Sequence, residues 1–156
     1  MPNILQYQPE ARVIVMLRNP VEMAPALHSE MLIGGRENVL DFRMAWDLQD
    51  ERRRGKRLPA LSWPRRCFLY GEICSLGAQF ARLVSMISRD RVLPILFDDI
   101  CKNPRREYLK VLRFLSLDDD GRTEFPVYNS ARRLQRPRLT RFMFLAMQAK
   151  EQVGIS

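Results

Sequence analysis

The sequence predicts an α/β fold that is rich in helix: part of a parallel sheet, with helices flanking it. A short apolar run, Val13–Leu17, is followed by a tight turn and a helical segment, which is the order of elements in a parallel sheet. Further along, apolar residues recur at spacings of three and four, as in amphipathic helices. Only one other segment has the pattern of a strand, and two strands do not make a covered sheet. We therefore expect that further strands of the sheet precede this sequence.

The first strand and the helix after it have clear boundaries in the sequence. The strand consists of β-branched and apolar residues without polar alternation, which predicts that both of its faces are covered. Arg18 ends the strand. Asn19 suits the N-cap position of a helix, Pro20 the first helical position, and Glu22 the reciprocal capping acid. Pro25 lacks the backbone N–H that the helix needs at its position, so a kink or a late helix start is expected.

The rest of the chain is predicted to be mainly helical. Amphipathic or capped patterns indicate four more helices, which cover residues 41–54, 72–88, 103–117 and 138–152. The second strand is expected at residues 91–97, where Pro94 indicates an end or edge position. The acidic run with glycine at residues 118–121 should end the third of these helices, and a basic loop is expected over residues 122–136.

Length and charge limit the class of protein. With 156 residues and 46% hydrophobic content, the chain is predicted to form a single domain over residues 1–156. Its 26 lysines and arginines exceed its 18 aspartates and glutamates, which gives a net charge of +8. Such a charge favours an anionic partner: a nucleotide, an acidic substrate, a membrane surface or a nucleic acid. Charge alone does not choose among these four.

Cysteine usage and hydropathy predict a cytoplasmic protein. Cys67, Cys74 and Cys101 are odd in number and lack the C-x-x-C spacing, which favours buried free thiols over disulfides or a zinc site. The first residues lack the basic and apolar layout of a signal peptide, and no stretch approaches the ~20 apolar residues of a membrane span. We therefore expect no bound metal and no membrane segment in this chain.

The junction between the first strand and the first long helix is the strongest candidate for a binding site. Arg18 places a guanidinium, and the helix start at Pro20 places backbone N–H groups, at the carboxyl end of a parallel strand. Arginine can meet two phosphate oxygens with two parallel N–H groups. From these residues alone, a phosphate site and a plain strand-to-helix turn both stay open.

Residues 13–22, VIVMLRNPVE, resemble the 3′-phosphate-binding motif of sulfotransferases, a strand that ends in L-R-[DN]-P-x-[DE]. Later segments resemble other parts of the same family, in the family's order: 68–72 its Y-G segment, 95–100 its F-[ED]-D strand end, 114–115 its F-L, and 124–129 the loop after it. The resemblance extends from about residue 12 to about residue 138.

The resemblance implies a P-loop-like nucleotide-binding fold and a defined reaction. Members of the family transfer a sulfuryl group from 3′-phosphoadenosine 5′-phosphosulfate (PAPS) to a hydroxyl or an amine, without a metal. Arg18 and Asn19 would bind at the donor's 3′-phosphate. Arg132 and Arg133 fall in the basic loop, where one of them would contact the same phosphate, and a solvated basic face suits them equally well. The implied partners are a nucleotide and an unidentified acceptor, not a nucleic acid.

Ala26 stands where the family usually has a serine that shares the 3′-phosphate with the arginine. Its methyl group offers no hydrogen-bonding atom, which weakens the expected hold on the donor. We expect Ala26→Ser to tighten the binding of 3′,5′-adenosine bisphosphate by about 1 kcal/mol, measured by calorimetric titration. Equal or weaker binding would mean that the backbone at this position departs from that of the family.

The sequence lacks the other half of such a site. No G-x-x-x-x-G-K or P-K-x-G-[TS] stretch, which would cradle the donor's 5′-phosphosulfate, occurs in its 156 residues. The family's general base, usually a histidine or glutamate upstream of the arginine motif, has no counterpart either. We therefore predict that this chain alone lacks a complete catalytic site. The alternative is a non-catalytic basic module: a nucleotide-binding remnant, or a protein that binds RNA or another polyanion.

Three other features have simpler interpretations. His28, the single histidine, is predicted to pack or to meet solvent, and not to act as a base. Asp98 and Asp99 are neighbours at a strand end, so they point to opposite faces and form no acid/base pair, and Asp99 is expected to cap the next turn. The basic run at residues 52–57 suits either a helix carboxyl terminus or the recognition of an acidic substrate.

Overall fold

The computed structural model describes residues 2–59 and 64–127, together with Phe142. In chain order, the regular elements of this part are α1 (Pro2–Tyr7), β1 (Val13–Leu17), α2 (Pro20–Ile33), α3 (Phe42–Asp47), α4 (Gln49–Arg53), α5 (Tyr70–Ile73), α6 (Leu76–Val84), β2 (Val92–Leu96), α7 (Phe97–Lys102) and α8 (Pro104–Leu115). Two short 3-10 helices, Arg65–Phe68 and Arg89–Arg91, precede α5 and β2. These residues fall into two compact units: 2–19 with 76–127, and 20–59 with 64–75.

The two strands pair in parallel and form a two-stranded sheet within the described ranges. The register joins Val13 to Val92 at one end of the sheet and Leu17 to Leu96 at the other. Both strands lie where the sequence predicts them, and Pro94 lies in an edge strand, as expected for a residue without a backbone N–H. Because the strands are parallel, their carboxyl ends meet at the same edge of the sheet.

One face of the sheet packs on the core of the first unit. This core consists of apolar side chains from the strands, from α6 and from the segment after α6: Val13, Val15, Phe80, Leu83, Val84, Ile87 and Val92. On the other face of β1, Ile14 is 39% and Met16 is 52% exposed. The prediction that both faces of this strand are covered is therefore wrong. Every residue of β1 is apolar, but whether a face of the strand is covered depends on which other elements pack against it.

α2 runs without interruption from Pro20 to Ile33, with Pro25 inside it. The helix begins at the predicted residue, whereas the late start considered for Pro25 is wrong. An interior proline lacks one backbone N–H and its ring crowds the carbonyl four residues earlier, yet α2 continues beyond Pro25. One turn later, the Ser29 hydroxyl donates a hydrogen bond to the Pro25 carbonyl at 3.0 Å.

Two of the predicted helices are each divided into two shorter ones. The helix expected over residues 41–54 breaks at Leu48, where ψ is −4° and the chain turns out of the helical path. The helix expected over residues 72–88 starts at Tyr70 instead and is divided between α5 and α6. At this second break, the Ser75 hydroxyl donates to the Gly71 carbonyl at 2.6 Å and competes with the helical hydrogen bonds.

α8 has the capped start that the sequence predicts. The side-chain oxygen of Asn103 accepts the backbone N–H of Arg106 at 3.0 Å, and Pro104 is the first helical residue. The helix ends at Leu115, before the acidic run that was expected to end it. Ser116 ends it by adopting a left-handed conformation with φ of 60°.

The loop predicted over residues 122–136 contains no helix or strand as far as residue 127. The rest of this loop lies outside the described residues, as does the helix expected over residues 138–152, apart from Phe142. The three cysteines are free thiols. Cys74 is buried, as predicted, and Cys67 is half-buried, but Cys101 is exposed, so the prediction of a buried thiol is wrong there.

The second unit has a core of its own beneath α2. Its buried residues come from α2, α3, α5 and the residue that follows α5: Ala24, Met31, Ala45, Tyr70 and Cys74. Met23, Leu27, Val39 and Phe42 pack around them. This core holds the helix that begins directly after the Arg18 junction.

Candidate functional site

Arg18 follows β1 directly and lies at the sheet edge where both strands end. Because Leu17 pairs with Leu96, Arg18 is beside the start of α7. The central carbon of its guanidinium lies 4.8 Å from the centre of the Phe97 ring, which is a cation–π distance. The side chain is half-buried. The ring therefore contacts the guanidinium and favours its positive charge at this position.

The start of α2 is the second part of this junction. Pro20 begins the helix two residues after Arg18, and the N–H groups of a first helical turn have no partner within the helix. Such a turn carries a partial positive charge, which favours a bound anion. Glu22, in the same turn, is an acid of the type that stabilises a helix start. Arg18 is thus followed, two residues later in the chain, by a helix amino terminus.

The remaining predicted site residues have different positions. Asn19 is exposed between β1 and α2, and Ala26 is half-buried two turns into α2. Arg132 and Arg133 lie outside the described residues. Phe97 was not predicted as part of the site, because the sequence reading assigned it to the end of the second strand. Phe97 lies beside Arg18 because of the register in which the two parallel strands pair, and a single sequence does not reveal that register.

The two acidic residues after β2 lie in a helix, and not at a strand end as the sequence predicts. Asp98 and Asp99 lie in the first turn of α7, where acidic side chains stabilise a helix start. Asp99 lies 3.7 Å from a guanidinium nitrogen of Arg106, and its backbone carbonyl accepts the N–H of Asn103 at 2.9 Å. Asp99 therefore connects α7 with Arg106 of α8, but the side chain that caps α8 is that of Asn103, so the prediction that Asp99 caps the next turn is wrong.

A buried ionic cluster in the second unit was not predicted. The carboxylate of Glu37 accepts two hydrogen bonds from Arg52, at 2.7 and 2.9 Å, and one from the Tyr70 hydroxyl at 2.6 Å. It also accepts the backbone N–H groups of Asn38 and Val39, at 2.9 and 3.0 Å. The side chains of Glu37 and Arg52 are fully buried. Arg52 therefore does not belong to a solvated basic run, although its neighbours do.

The cluster shifts the pKa of two of its members. Burial favours the protonated form of Glu37, but the hydrogen bonds from Arg52 and Tyr70 outweigh it and hold the pKa of this carboxyl below its ordinary value. For Tyr70, burial and the hydrogen bond to the Glu37 carboxylate both raise the pKa of the phenol. The cluster therefore keeps an ionised glutamate beside a neutral tyrosine.

These shifts predict how stability depends on pH. Because the pKa of Glu37 is lowered on folding, its contribution is complete above the unfolded value of about 4.3 and is lost as the pH falls through the folded value. Because the pKa of Tyr70 is raised, its contribution is complete below an unfolded value of about 10 and declines at higher pH. Urea unfolding at several pH values should show both losses, and Glu37→Gln should flatten the acid limb. An unchanged acid limb in this variant would contradict the assignment.

His28 is a packing residue, as the sequence predicts. It is buried, and its Nε2 donates to the Val39 carbonyl at 2.8 Å. Its ring lies 5.6 Å from that of Phe42 and 5.8 Å from that of Tyr70, both edge to face. The histidine thus ties α2 to the segment that carries Glu37, and it has no access to a substrate.

A polar cleft of about 440 Å³ lies on the second unit. It is lined by residues of α3, α4 and α5 and by Ser75: Trp46, Asp47, Gln49, Asp50, Arg53, Gly71, Glu72 and Ser75. Its arginine, Arg53, is already paired with Asp50 at 2.6 Å and with Glu72 at 2.8 Å. The Gln49 side chain accepts the Gly71 N–H at 2.6 Å. These polar groups mostly satisfy one another, so the cleft is a weaker candidate than the Arg18 junction.

The described residues contain no group of three or more histidine, cysteine or acidic side chains placed to hold a metal ion. None of their helices is long and apolar enough to cross a membrane.

The fold is similar to that of a solved sulfotransferase from Alicyclobacillus acidocaldarius, with a TM-score of 0.66 and 22% sequence identity. The match covers 99% of this chain but 59% of the sulfotransferase chain, so this chain spans well under two thirds of that protein's length. A likeness at this level of identity shows the fold alone, and it agrees with the predicted helix-rich α/β class. No protein-family model and no curated protein matches the sequence.

Proposed function

We propose that this chain supplies the 3′-phosphate-binding part of a sulfotransferase, which transfers a sulfuryl group from PAPS to a hydroxyl or amine acceptor. The observation that carries the proposal is the position of Arg18, at the carboxyl edge of a parallel sheet and directly before α2. Open α/β sheets bind their ligands at this edge. The fold likeness to a sulfotransferase supports the same family as the sequence motif does.

The chemistry of the junction suits a phosphate group. A guanidinium forms charge-assisted hydrogen bonds with phosphate oxygens, and the guanidinium of Arg18 already contacts the ring of Phe97. The first turn of α2 adds backbone donors and a favourable dipole. In this proposal Arg18 anchors the nucleotide through its 3′-phosphate. Asn19, Ala26, Arg132 and Arg133 join the site on the strength of the family resemblance.

PAPS brings the reactive group to such a site: its sulfuryl group moves to the acceptor, and the nucleotide leaves with a 5′-phosphate. The residues proposed here bind the opposite, 3′-phosphate side of the donor. The sequence contains no glycine-rich lysine loop for the 5′-phosphosulfate, and its single histidine is buried. We therefore assign donor binding to this chain, and we assign none of its described residues to sulfuryl transfer or to the role of general base.

Calorimetric titration of the folded chain with 3′,5′-adenosine bisphosphate tests the proposal, with 5′-adenosine monophosphate as the matched control. The two ligands differ only in the 3′-phosphate, so a contact between that phosphate and Arg18 should make the bisphosphate bind at least about tenfold more tightly. Equal affinity for the two ligands, or no binding by a chain that circular dichroism shows to be folded, would contradict it. Tight binding of RNA with indifference to the bisphosphate would favour the non-catalytic basic module.

A further inference from the structure

A basic surface lies on the second unit, away from its buried core. It consists of five exposed cationic side chains from two segments: Arg54, Lys56, Arg57, Arg65 and Arg66. None of the five forms an ion pair with a carboxylate of residues 2–59 or 64–127. Five neighbouring cations that are not paired with carboxylates repel one another, and an anionic partner would relieve that repulsion.

The first segment of the basic surface has a fixed backbone. Arg52, buried with Glu37, donates from its Nε to the Arg57 carbonyl at 3.4 Å, so the loop is tied to the buried cluster. The Gly55 N–H donates to the Arg52 carbonyl, and the Lys56 N–H donates to the Glu51 carbonyl, both at 2.9 Å. The cations at the end of α4 therefore stand on an ordered turn.

The second segment lies against the first. Gly55 adopts φ of +79°, and a Cβ placed on it would lie 3.4 Å from a guanidinium nitrogen of Arg65. The Arg52 guanidinium also lies over the ring of Phe68, which is the last residue of the 3-10 helix that carries Arg65 and Arg66. Arg52 thus contacts both segments, although it is buried and is not itself part of the basic surface.

We infer that the basic surface is a docking site for an acidic polypeptide segment rich in aspartate and glutamate. Four of its five cations are arginines, whose planar forks match carboxylates with paired hydrogen bonds. A single-stranded nucleic acid would gain affinity from exposed aromatic side chains that stack on its bases, and a membrane would gain it from exposed apolar anchors. No large apolar or aromatic side chain is exposed at residues 48–59 or 64–75, which contain the five cations. The five cations can therefore recognise the carboxylates of a partner by charge.

The basic surface is independent of the proposed nucleotide site, since it contains none of the residues assigned to that site. An acidic polypeptide docked here would be either an acceptor of the reaction or a separate partner, and the same side chains would recognise it in both cases. A test on the surface and a test on Arg18 therefore succeed or fail separately.

Fluorescence anisotropy with a fluorescein-labelled oligoglutamate peptide tests the inference on the whole chain. Arg54→Gln combined with Arg65→Gln is expected to weaken binding by at least about tenfold at low salt. Arg82→Gln combined with Arg89→Gln, which removes two exposed cations from the first unit, is the matched control and should change binding less than about twofold. Circular dichroism confirms that both variants fold, and their titration with 3′,5′-adenosine bisphosphate should match that of the unaltered chain.

Three outcomes would overturn the inference. In the first outcome, the unaltered chain does not bind oligoglutamate. In the second, both double variants bind oligoglutamate more weakly than the unaltered chain and by the same factor, which would indicate attraction to net charge alone. In the third outcome, an oligouridylate or a heparin fragment of equal charge would bind more tightly than oligoglutamate and be released by the Arg54 and Arg65 substitutions. That result would assign the basic surface to a nucleic acid or a polysaccharide.

Discussion

Replacing Glu37 with alanine is expected to reduce the free energy of unfolding by about 3–5 kcal/mol. The substitution would leave the Arg52 guanidinium fully buried without its carboxylate, and it would remove the acceptor of the Tyr70 hydroxyl. An unpaired buried charge costs far more than the pair contributes, because the desolvation penalty is then not compensated. Urea unfolding followed by circular dichroism measures the loss.

Two control variants separate the charge from the shape of the cluster. Glu37→Gln keeps the volume and can still accept from Tyr70, but it loses the paired contact with Arg52, so an intermediate loss is expected. Glu37→Leu combined with Arg52→Met removes both charges and should recover most of the stability lost in Glu37→Ala. A loss below about 1 kcal/mol in Glu37→Ala would show that water reaches this pair in solution.

Replacing Arg18 with alanine is expected to weaken the binding of 3′,5′-adenosine bisphosphate by about 1.5–3 kcal/mol, or roughly tenfold to 150-fold. The guanidinium is the charged group that the proposed site uses to hold the 3′-phosphate. The side chain is half-buried and contacts Phe97, so some loss of stability is also expected, and binding is compared at a temperature where the variant is folded. Calorimetric titration gives the affinity.

Two substitutions refine the test of Arg18. Arg18→Lys keeps the charge and loses the planar fork, so it should recover part of the affinity. Phe97→Leu keeps an apolar side chain and loses the ring beneath the guanidinium, so it should weaken binding less than Arg18→Ala does. Arg82→Ala removes an exposed cation elsewhere in the first unit and serves as the control. Affinity equal to that of the unaltered chain in Arg18→Ala would remove this residue from the proposed site.

The strands and the Arg18 junction could be predicted from the sequence because their signals are local. β1 is a continuous apolar run that ends at a charged residue, and α8 starts at an asparagine followed by a proline. In both cases the residues that define the element are neighbours in the chain. The Arg18 junction could be predicted for the same reason, since Arg18, Asn19 and Pro20 are consecutive in the chain.

The divided helices and the open face of β1 could not be predicted in the same way. A helical spacing of apolar residues continues across Ser75, yet the serine's hydrogen bond to Gly71 helps to end α5 there. Ile14 and Met16 are as apolar as their neighbours, and their exposure depends on which elements pack against the strand. Patterns within one segment do not contain this information.

The Glu37 cluster was missed for a third reason. Glu37 lies outside any helix or strand, and its partners stand 15 and 33 residues further along the chain. Arg52 sits in a basic run whose other members are exposed, so its sequence context points to solvent. Only the tertiary structure separates this buried arginine from the cations beside it.

The burial of Arg52 against Glu37 also has a consequence for the evolution of this chain. Two charges that are paired out of contact with water cannot be replaced one at a time without an unstable intermediate, so the two positions should change together. Among descendants of this sequence, an apolar residue at position 37 is expected to accompany an apolar residue at position 52. The arginines around position 52 face solvent and none of them is paired with a buried carboxylate of the described residues, so a linked history should distinguish Arg52 from a run of residues that otherwise look alike.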